Sequence, residues 1–224
     1  MPLKAVFFDA GGTLVFPDRT ATLAPLHERG IHPSDAQLFA AEREAKRALD
    51  EIATRSGKVD QQYWENYYSF LLRSLDLQDS ALCAALVKAA RTSSNWNQVL
   101  PGTKELLQRL SAKYKIGVIS NSDGRIARVL SSCGLGECFA SITDSGNVGH
   151  EKPARQIFEA ALNSLEVRPD ESLYVGDIYS VDYMGAQNAG MQALIMDVSG
   201  TYVGEGAPRI ESLAELESRL TPVG

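Results

Sequence analysis

A parallel α/β sheet, covered by helices on both faces and interrupted by an all-helical insertion, is the fold that this sequence predicts. Short apolar runs bounded by polar residues or glycine alternate with helical stretches through most of the chain, and this alternation is typical of a parallel sheet. Between about residues 19 and 98, helical patterns follow one another with no strand candidate between them. The 224 residues suffice for one α/β domain with a sizeable insertion, or for two modest domains.

The predicted strands are four continuous apolar runs and one weaker run. They are AVFF at 5–8, IGVIS at 116–120, LYVG at 173–176 and ALIM at 193–196, with FASIT at 139–143 as the weaker candidate. Runs of this length and composition are typical of buried strands. Helices are predicted at 102–113, where leucines recur at positions 106, 107 and 110, and at 154–165.

Three stretches of the insertion have helical character, namely AQLFAAEREAKRALDEIA, QQYWENYYSFLLRSL and SALCAALVKAA. Residue types that cap helix N-termini stand at or near their starts. These residues are Ser34 with Asp35, Asp60, and Asp79 with Ser80. Pro101 and Gly102 mark the return to the α/β pattern. We therefore expect a core domain made of residues 1–18 and 99–224, and a helical cap domain made of residues 19–98.

The composition argues against several classes of function. A formal net charge of −6 and a pI near 5.2 give no electrostatic footprint for nucleic acid. No apolar run approaches the ~20 residues that a membrane span needs, and the N-terminus lacks the pattern of a signal peptide. The 3 cysteines have no CxxC spacing. We expect a soluble, cytoplasmic protein without a nucleic-acid or membrane partner.

Polar residues follow three of the predicted strands. Asp9 ends the first, Ser120 and Asn121 end the second, and Asp177 ends the strand at 173–176. Because parallel strands present their carboxyl ends at one edge, where ligands bind in the crevice, these side chains are expected to converge. An acid in such a position can also merely cap the following helix, but three strand ends with polar residues at once favour a site.

Asp9, Asp177 and Asp182 in one pocket would repel one another unless a cation lay between them. Carboxylate oxygens suit Mg²⁺, which takes one or two carboxylates and leaves room for phosphate. Asp182 has the alternative of being an exposed helix residue. Lys152, before Pro153, offers a point charge for phosphate, and Ser120 offers a hydroxyl and nearby N–H groups. The sequence thus predicts a magnesium and phosphoryl site.

Four ordered segments resemble the motifs of the haloacid dehalogenase-like hydrolase superfamily. They are FFDAGGTL, VISNS, EKPARQIF and VGDIYSVDYMGAQNAGM. The resemblance implies a Rossmann-like core with a helical cap inserted after the first motif, and a small phosphorylated molecule as substrate. It also implies Asp9 as the nucleophile, Ser120, Asn121 and Lys152 at the phosphoryl group, and Mg²⁺ held by Asp9, Asp177, Asp182 and the carbonyl oxygen of Gly11.

Gly11 departs from the pattern of the phosphatases that this chain resembles, which usually have a second aspartate there. That residue serves as acid for the leaving group and then as base for the attacking water. General acid–base assistance contributes roughly 10²- to 10⁴-fold to a rate. The predicted nucleophile, metal site and Lys152 do not depend on this side chain.

Three functions therefore stay open at this point. The first is a Mg²⁺-dependent phosphohydrolase that uses good leaving groups, or that takes its acid from substrate, water or the cap. The cap offers His27, His32, Lys46 and Lys58, although each is also typical of a solvated helix face. The aromatic residues of YWENYYSF would line a pocket in the cap or form its core.

The second function is carbon-centred chemistry, in which Lys46 forms a Schiff base as in phosphonoacetaldehyde hydrolases. Its neighbours Arg43 and Arg47 are expected to lower its pKa. Dehalogenases of the family lack an acid at the position of Gly11 but carry an aromatic residue there. The third function is a regulatory protein that binds phosphate and Mg²⁺ at a degenerate catalytic site.

Overall fold

The computed structural model describes residues 2–56, 62–204 and 206–220. Six strands form one parallel sheet and two short strands form an antiparallel pair. The strands are β1 (Ala5–Phe8), β2 (Phe16–Pro17), β3 (Trp96–Gln98), β4 (Lys115–Ser120), β5 (Ser141–Asp144), β6 (Ser172–Gly176), β7 (Gln192–Met196) and β8 (Arg209–Ile210). The sheet order is β5-β4-β1-β6-β7-β8, with β2 and β3 paired separately. The predicted α/β fold with a parallel, Rossmann-like sheet is confirmed.

Eleven α-helices lie in the described part of the chain. They are α1 (Arg19–Thr22), α2 (Ala24–His27), α3 (Asp35–Ser56), α4 (Tyr63–Ser74), α5 (Ser80–Ala90), α6 (Thr103–Ser111), α7 (Ile126–Ser132), α8 (Ser145–Val148), α9 (Arg155–Leu165), α10 (Met184–Asn188) and α11 (Leu216–Leu220). None of these described helices is both long and apolar enough to cross a bilayer.

Alternating side chains of the central strand β1 reach the two faces of the sheet. Val6 and Phe8 belong to one hydrophobic cluster, whereas Ala5 and Phe7 belong to the other. A strand that is buried on both faces reads as a continuous apolar run, which is why AVFF predicts its position well. Because β1 lies between β4 and β6, the residue that follows Phe8 emerges at the middle of the sheet edge.

The described residues between β2 and β3 contain α1 to α5 and no strand, as the sequence predicts. This segment, which we call the helical insertion, has a hydrophobic cluster of its own that includes Leu26, Leu38, Tyr68 and Leu86. The chain leaves and re-enters the core through the β2–β3 pair. The domain boundaries at 18/19 and 98/99 stay a prediction.

Several predicted ends of elements shift by one or two residues. The weaker strand is β5, which begins at Ser141 and not at residue 139. Helix α9 begins at Arg155, one residue later than predicted, because Ala154 is still extended at ψ 131°. The Asp79 carboxylate caps α5 by accepting from the Leu82 N–H at 2.9 Å, and α3 begins at Asp35. Asp60 lies outside the described residues.

Candidate active site

The carboxyl ends of β1 and β6 bring three aspartates together. Asp9, Asp177 and Asp182 are all buried, and one carboxylate oxygen from each lies within 4.8 Å of the others. Asp182 is 1% exposed, so the alternative that it is an exposed helix residue is wrong. The predicted convergence of the three acids is therefore present in the structure, while their roles stay to be tested.

Two glycines make this close approach of the acids to the chain possible. A Cβ atom on Gly12, whose φ is +78°, would lie 2.5 Å from Asp177 Oδ2. A Cβ atom on Gly176 would overlap the carboxyl group of Asp182. A single π-helical turn, Tyr179–Tyr183, then carries Asp182 back towards Asp177, and such turns are frequent at functional sites.

Lys152 is the cation at the centre of the cluster. Its side chain is buried, and its Nζ donates to Asp9 Oδ1 at 2.5 Å, to Asp182 Oδ1 at 2.7 Å and to the Tyr174 hydroxyl at 2.9 Å. Burial lowers the pKa of Lys152, but Asp182 and Asp9 raise it by more, so its net pKa lies above the ordinary value. Lys152 therefore stays charged while it faces the predicted nucleophile.

Asn121 holds the backbone of Lys152 in place. Its Nδ2 donates to the Lys152 carbonyl at 3.0 Å, and its Oδ1 accepts from the Lys152 N–H at 2.7 Å. Both ends of this amide are thus engaged with the main chain of Lys152. Ser120 lies buried at the end of β4, where it was expected. A direct contact of Asn121 or Ser120 with phosphate stays a prediction.

Asp182 accepts hydrogen bonds through both of its carboxylate oxygens. Oδ1 accepts from Lys152 and from Tyr174, and Oδ2 accepts from the N–H groups of Asp177 at 3.1 Å and Ile178 at 3.0 Å. Four donors occupy most of the lone pairs of a carboxylate. This arrangement favours Asp182 as the residue that orients Lys152 and the 177–178 turn.

Asp177 has the opposite arrangement. Its Oδ2 accepts from Lys46 Nζ of the helical insertion at 2.5 Å, whereas its buried Oδ1 has no hydrogen-bond partner among the described residues. A buried carboxylate oxygen without a donor is unfavourable and is the kind of atom that a divalent cation binds. The donor set of Asp9 and Asp177 therefore fits Mg²⁺.

The raised pKa values of Asp9 and Asp177 also favour a cation at this site. Burial raises the pKa of Asp9, Lys152 opposes the rise, Asp182 and Asp177 reinforce it, and the net pKa is about 7. Burial also raises the pKa of Asp177, although Lys46 lowers it in part. Carboxylates that resist ionisation together are stabilised in their ionised form by a bound cation.

One face of α3 contacts the core beside these acids. Arg43 donates to the Ser199 carbonyl at 3.2 Å, Arg47 donates to the Thr201 carbonyl at 2.8 Å, and the Asp50 carboxylate accepts from the Ser180 N–H at 2.9 Å. With Lys46 these residues occupy positions i, i+3, i+4 and i+7, which share one helical face. The expectation that Lys46 lies on a solvated face is wrong, because its polar partners belong to the core and not to water.

Lys46 also differs from the expectation for a Schiff-base lysine. Burial lowers the pKa of Lys46, but its ion pair with Asp177 and the nearby Glu42 and Asp50 raise it by more, so the net pKa lies above the ordinary value. The predicted lowering by Arg43 and Arg47 is therefore wrong. His27 and His32 stack on each other with ring centroids 5.0 Å apart, and Lys58 lies outside the described residues.

The space next to Gly11 belongs to Trp96, a residue that the sequence analysis did not single out. A Cβ atom on Gly11 would lie 3.2 Å from Cζ3 of the Trp96 indole. Tyr174 was also missed, although its hydroxyl contacts Lys152 and Asp182. Trp96 carries no sequence signal for this contact, whereas Tyr174 stands in the strand just before Asp177.

A family model and a named relative each match most of this chain. The family model described as haloacid dehalogenase-like hydrolase matches residues 3–190. A protein of Methanothermobacter thermautotrophicus named glyceraldehyde 3-phosphate phosphatase is 31% identical over an alignment of 199 residues, with 87% of this chain and 86% of the relative covered.

Solved structures show the same architecture along nearly the whole chain. The HAD-hydrolase YfnB of Bacillus subtilis, solved bound to magnesium, superposes with a TM-score of 0.69 at 19% identity and covers 98% of this chain and 99% of its own. A HAD phosphatase from Thermococcus onnurineus has a TM-score of 0.62 at 26% identity, with 97% of this chain and 98% of that chain covered.

Proposed function

Because the chain belongs to the haloacid dehalogenase-like hydrolases and is therefore a hydrolase, we propose that it is a Mg²⁺-dependent phosphatase of a small phosphorylated metabolite. The observation that carries the proposal is the buried Asp9 carboxylate, which Lys152 contacts at 2.5 Å. Beside it lies Asp177, whose Oδ1 has no hydrogen-bond partner in the described part of the chain. A cytoplasmic location belongs to the same proposal.

We assign the metal to Asp9, Asp177 and the carbonyl oxygen of Gly11, with Asp182 acting through the Asp177 turn or through water. Mg²⁺ bound there supplies positive charge that offsets the carboxylates and the phosphoryl oxygens. The fit rests on two buried acids, on Asp177 Oδ1, to which no described residue donates a hydrogen bond, and on the pKa of Asp9, which is raised mainly by burial.

The residues of this chain then divide the chemistry among them. An oxygen of Asp9 forms a bond to phosphorus while the bond from phosphorus to the leaving oxygen breaks in line. The ammonium group of Lys152 and the hydroxyl of Ser120 stabilise charge on the equatorial oxygens. Asn121 fixes the Lys152 backbone, and water later cleaves the aspartyl-phosphate.

Glycine at position 11 cannot give a proton to the leaving oxygen. Lys46 of the helical insertion lies beside the acids and forms an ion pair with Asp177. We therefore propose leaving groups that depart without a proton, or that take it from water or from the substrate. The engaged Lys46, with its raised pKa, also disfavours the Schiff-base chemistry that the sequence left open.

Hydrolysis of p-nitrophenyl phosphate with and without Mg²⁺ tests the proposal, because this leaving group needs little protonation. We expect turnover by the wild type with Mg²⁺, and loss of it in Asp9→Asn. The matched control is Asp170→Asn, which removes an exposed carboxylate that pairs with Arg168 and should leave turnover unchanged.

Equal turnover by Asp9→Asn and wild type would refute the proposed nucleophile. Calorimetric binding of phosphate without turnover of any ester would favour the regulatory function instead. Glyceraldehyde 3-phosphate, which appears in the name of the archaeal relative, is the first metabolite to compare with the aryl ester.

A further inference from the structure

The six-membered ring of the Trp96 indole lies next to Gly11. A Cβ atom built on Gly11 would meet three ring atoms of Trp96 between 3.2 and 3.6 Å. The nearest of these separations is tighter than ordinary van der Waals contact, so a larger side chain at position 11 requires the ring to move. The Trp96 ring therefore fills the space beside Gly11, two residues after Asp9.

Several contacts hold Trp96 in this position. Its Nε1 donates to the Ala90 carbonyl at 2.7 Å, and its main chain pairs with Pro17 in the β2–β3 ladder. The ring of Trp64 from α4 packs against it at 5.9 Å between centroids. The indole is thus fixed from the strand side and from the helical insertion.

The direction of the reaction places the leaving group on this side of the site. Asp9 follows the central strand of the sheet, and in-line displacement puts the leaving oxygen opposite the attacking one. The helical insertion covers these strand ends, since Lys46 and Asp50 of α3 bind Asp177 and Ser180. The departing half of the substrate therefore points from Asp9 towards the insertion.

The part of the helical insertion next to Trp96 is aromatic. Tyr63 packs edge-on against Trp64 at 5.4 Å, and Trp64 in turn contacts Trp96. Burial, and then the negative charges of Asp177, Asp50, Asp182 and Asp9, raise the pKa of the Tyr63 phenol. The rings of Tyr63, Trp64 and Trp96 thus form one continuous set that ends at Gly11.

We infer that Trp96 selects the leaving group, because its ring contacts the departing half of the substrate and favours aryl phosphates over equally activated phosphates without a ring. The inference rests on the proposed phosphatase function. The inference accounts for two features of the site. An aryloxide leaves without needing the acid that Gly11 cannot supply, and the flat ring of this leaving group can stack on the indole of Trp96.

The test compares two substrates that both leave without a proton, p-nitrophenyl phosphate and acetyl phosphate, with Mg²⁺ present. In Trp96→Leu we expect kcat/KM for the aryl ester to fall about tenfold, mainly through KM, as the loss of one stacking contact implies. Turnover of acetyl phosphate should change by less than about twofold. Trp96→Phe, which keeps a ring, should retain most of the aryl preference.

The control is Phe39→Leu, which removes an aromatic ring of the insertion that stacks on Arg19, and it should leave the ratio of the two rates unchanged. An equal loss on both substrates in Trp96→Leu, or no loss on either, overturns the inference and leaves the phosphatase proposal intact. A wild type that hydrolyses neither compound refutes the phosphatase proposal itself, and the binding experiment below then decides whether Trp96 contacts the ligand.

A binding experiment covers the case in which Trp96→Leu does not fold. The chain has 2 tryptophans, so Trp64→Phe leaves Trp96 as the sole indole. With Mg²⁺ present, p-nitrophenylphosphonate should quench the fluorescence of this variant, whereas methylphosphonate should not. Equal responses to the two phosphonates would overturn the inference.

Discussion

Replacing Lys46 by methionine is expected to tighten the binding of Mg²⁺. In the structure the Lys46 ammonium lies 2.5 Å from Asp177 Oδ2 and neutralises the carboxylate that we assign to the metal. The side chains are 19% and 7% exposed, so this ion pair is largely shielded from water. A cation that binds to Asp177 must therefore weaken the ion pair between Lys46 and Asp177.

The magnitude follows from the distance between the two charges. Two unit charges 2.5 Å apart attract by about 1.7 kcal/mol even at the dielectric constant of water, and by more in a partly buried setting. Methionine has a similar length and no charge, so the variant does not lose this attraction when the metal binds. We expect Mg²⁺ affinity to rise by about tenfold or more.

The same substitution should destabilise the metal-free protein. Removal of one partner leaves the Asp177 carboxylate buried without compensation, which costs about 2 kcal/mol after allowance for the partial exposure of Lys46. For a chain of this length, the expected fall in Tm is roughly 5 °C. Saturating Mg²⁺ should remove most of this difference.

Isothermal titration with Mg²⁺ on wild type, Lys46→Met and Arg43→Met measures the effect. Arg43 is the matched control, because it contributes the same charge from the same face of α3 but donates to the Ser199 carbonyl. An unchanged or weaker affinity in Lys46→Met would refute the reasoning. An equal gain in Arg43→Met would show that net charge, and not the contact with Asp177, is the cause.

Three further outcomes are expected. Because Mg²⁺ binds ionised Asp9, whose pKa burial raises to about 7, calorimetry should show affinity falling up to about tenfold per pH unit below that value, and equal affinities at about pH 6 and about pH 8 would contradict this. Lys152→Met should lower kcat for p-nitrophenyl phosphate by at least about 10³-fold; steady-state rates within about tenfold of wild type would remove Lys152 from the mechanism. Gly176→Ala, whose Cβ would overlap Asp182, should cost about 2 kcal/mol in thermal unfolding. Gly206→Ala, whose Cβ would meet no described atom within 4 Å, should not, and equal Tm values for the two variants would refute the steric argument.

The sheet and its acids could be predicted because both follow from local patterns. The run AVFF is buried on both faces, so its apolar character is continuous and marks the central strand. Asp9 and Asp177 then meet because parallel strands end at one edge, a rule that needs no knowledge of individual contacts. Asp79 caps α5 through a bond within three residues, which a sequence also shows directly.

The parts that sequence alone could not show depend on contacts between distant segments. Trp96 meets Gly11 only because β2 and β3 pair, and nothing in the local sequence marks that ring as part of the site. Lys46 and Asp50 form a polar helical face whose partners are core groups around Asp177 and Ser180. Amphipathic periodicity cannot distinguish a face that meets water from one that meets polar groups of the protein.

The central claim is that an oxygen of Asp9 bonds to phosphorus during turnover. Rapid acid quenching of the Mg²⁺-loaded wild type with p-nitrophenyl phosphate, followed by peptide mass spectrometry, tests it most directly. We predict one phosphoryl group on the carboxylate of Asp9, and none in Asp9→Asn. The account would be contradicted if the wild type released phosphate steadily while the phosphoryl group was found on a residue other than Asp9. Undiminished release of phosphate by Asp9→Asn would contradict it as well.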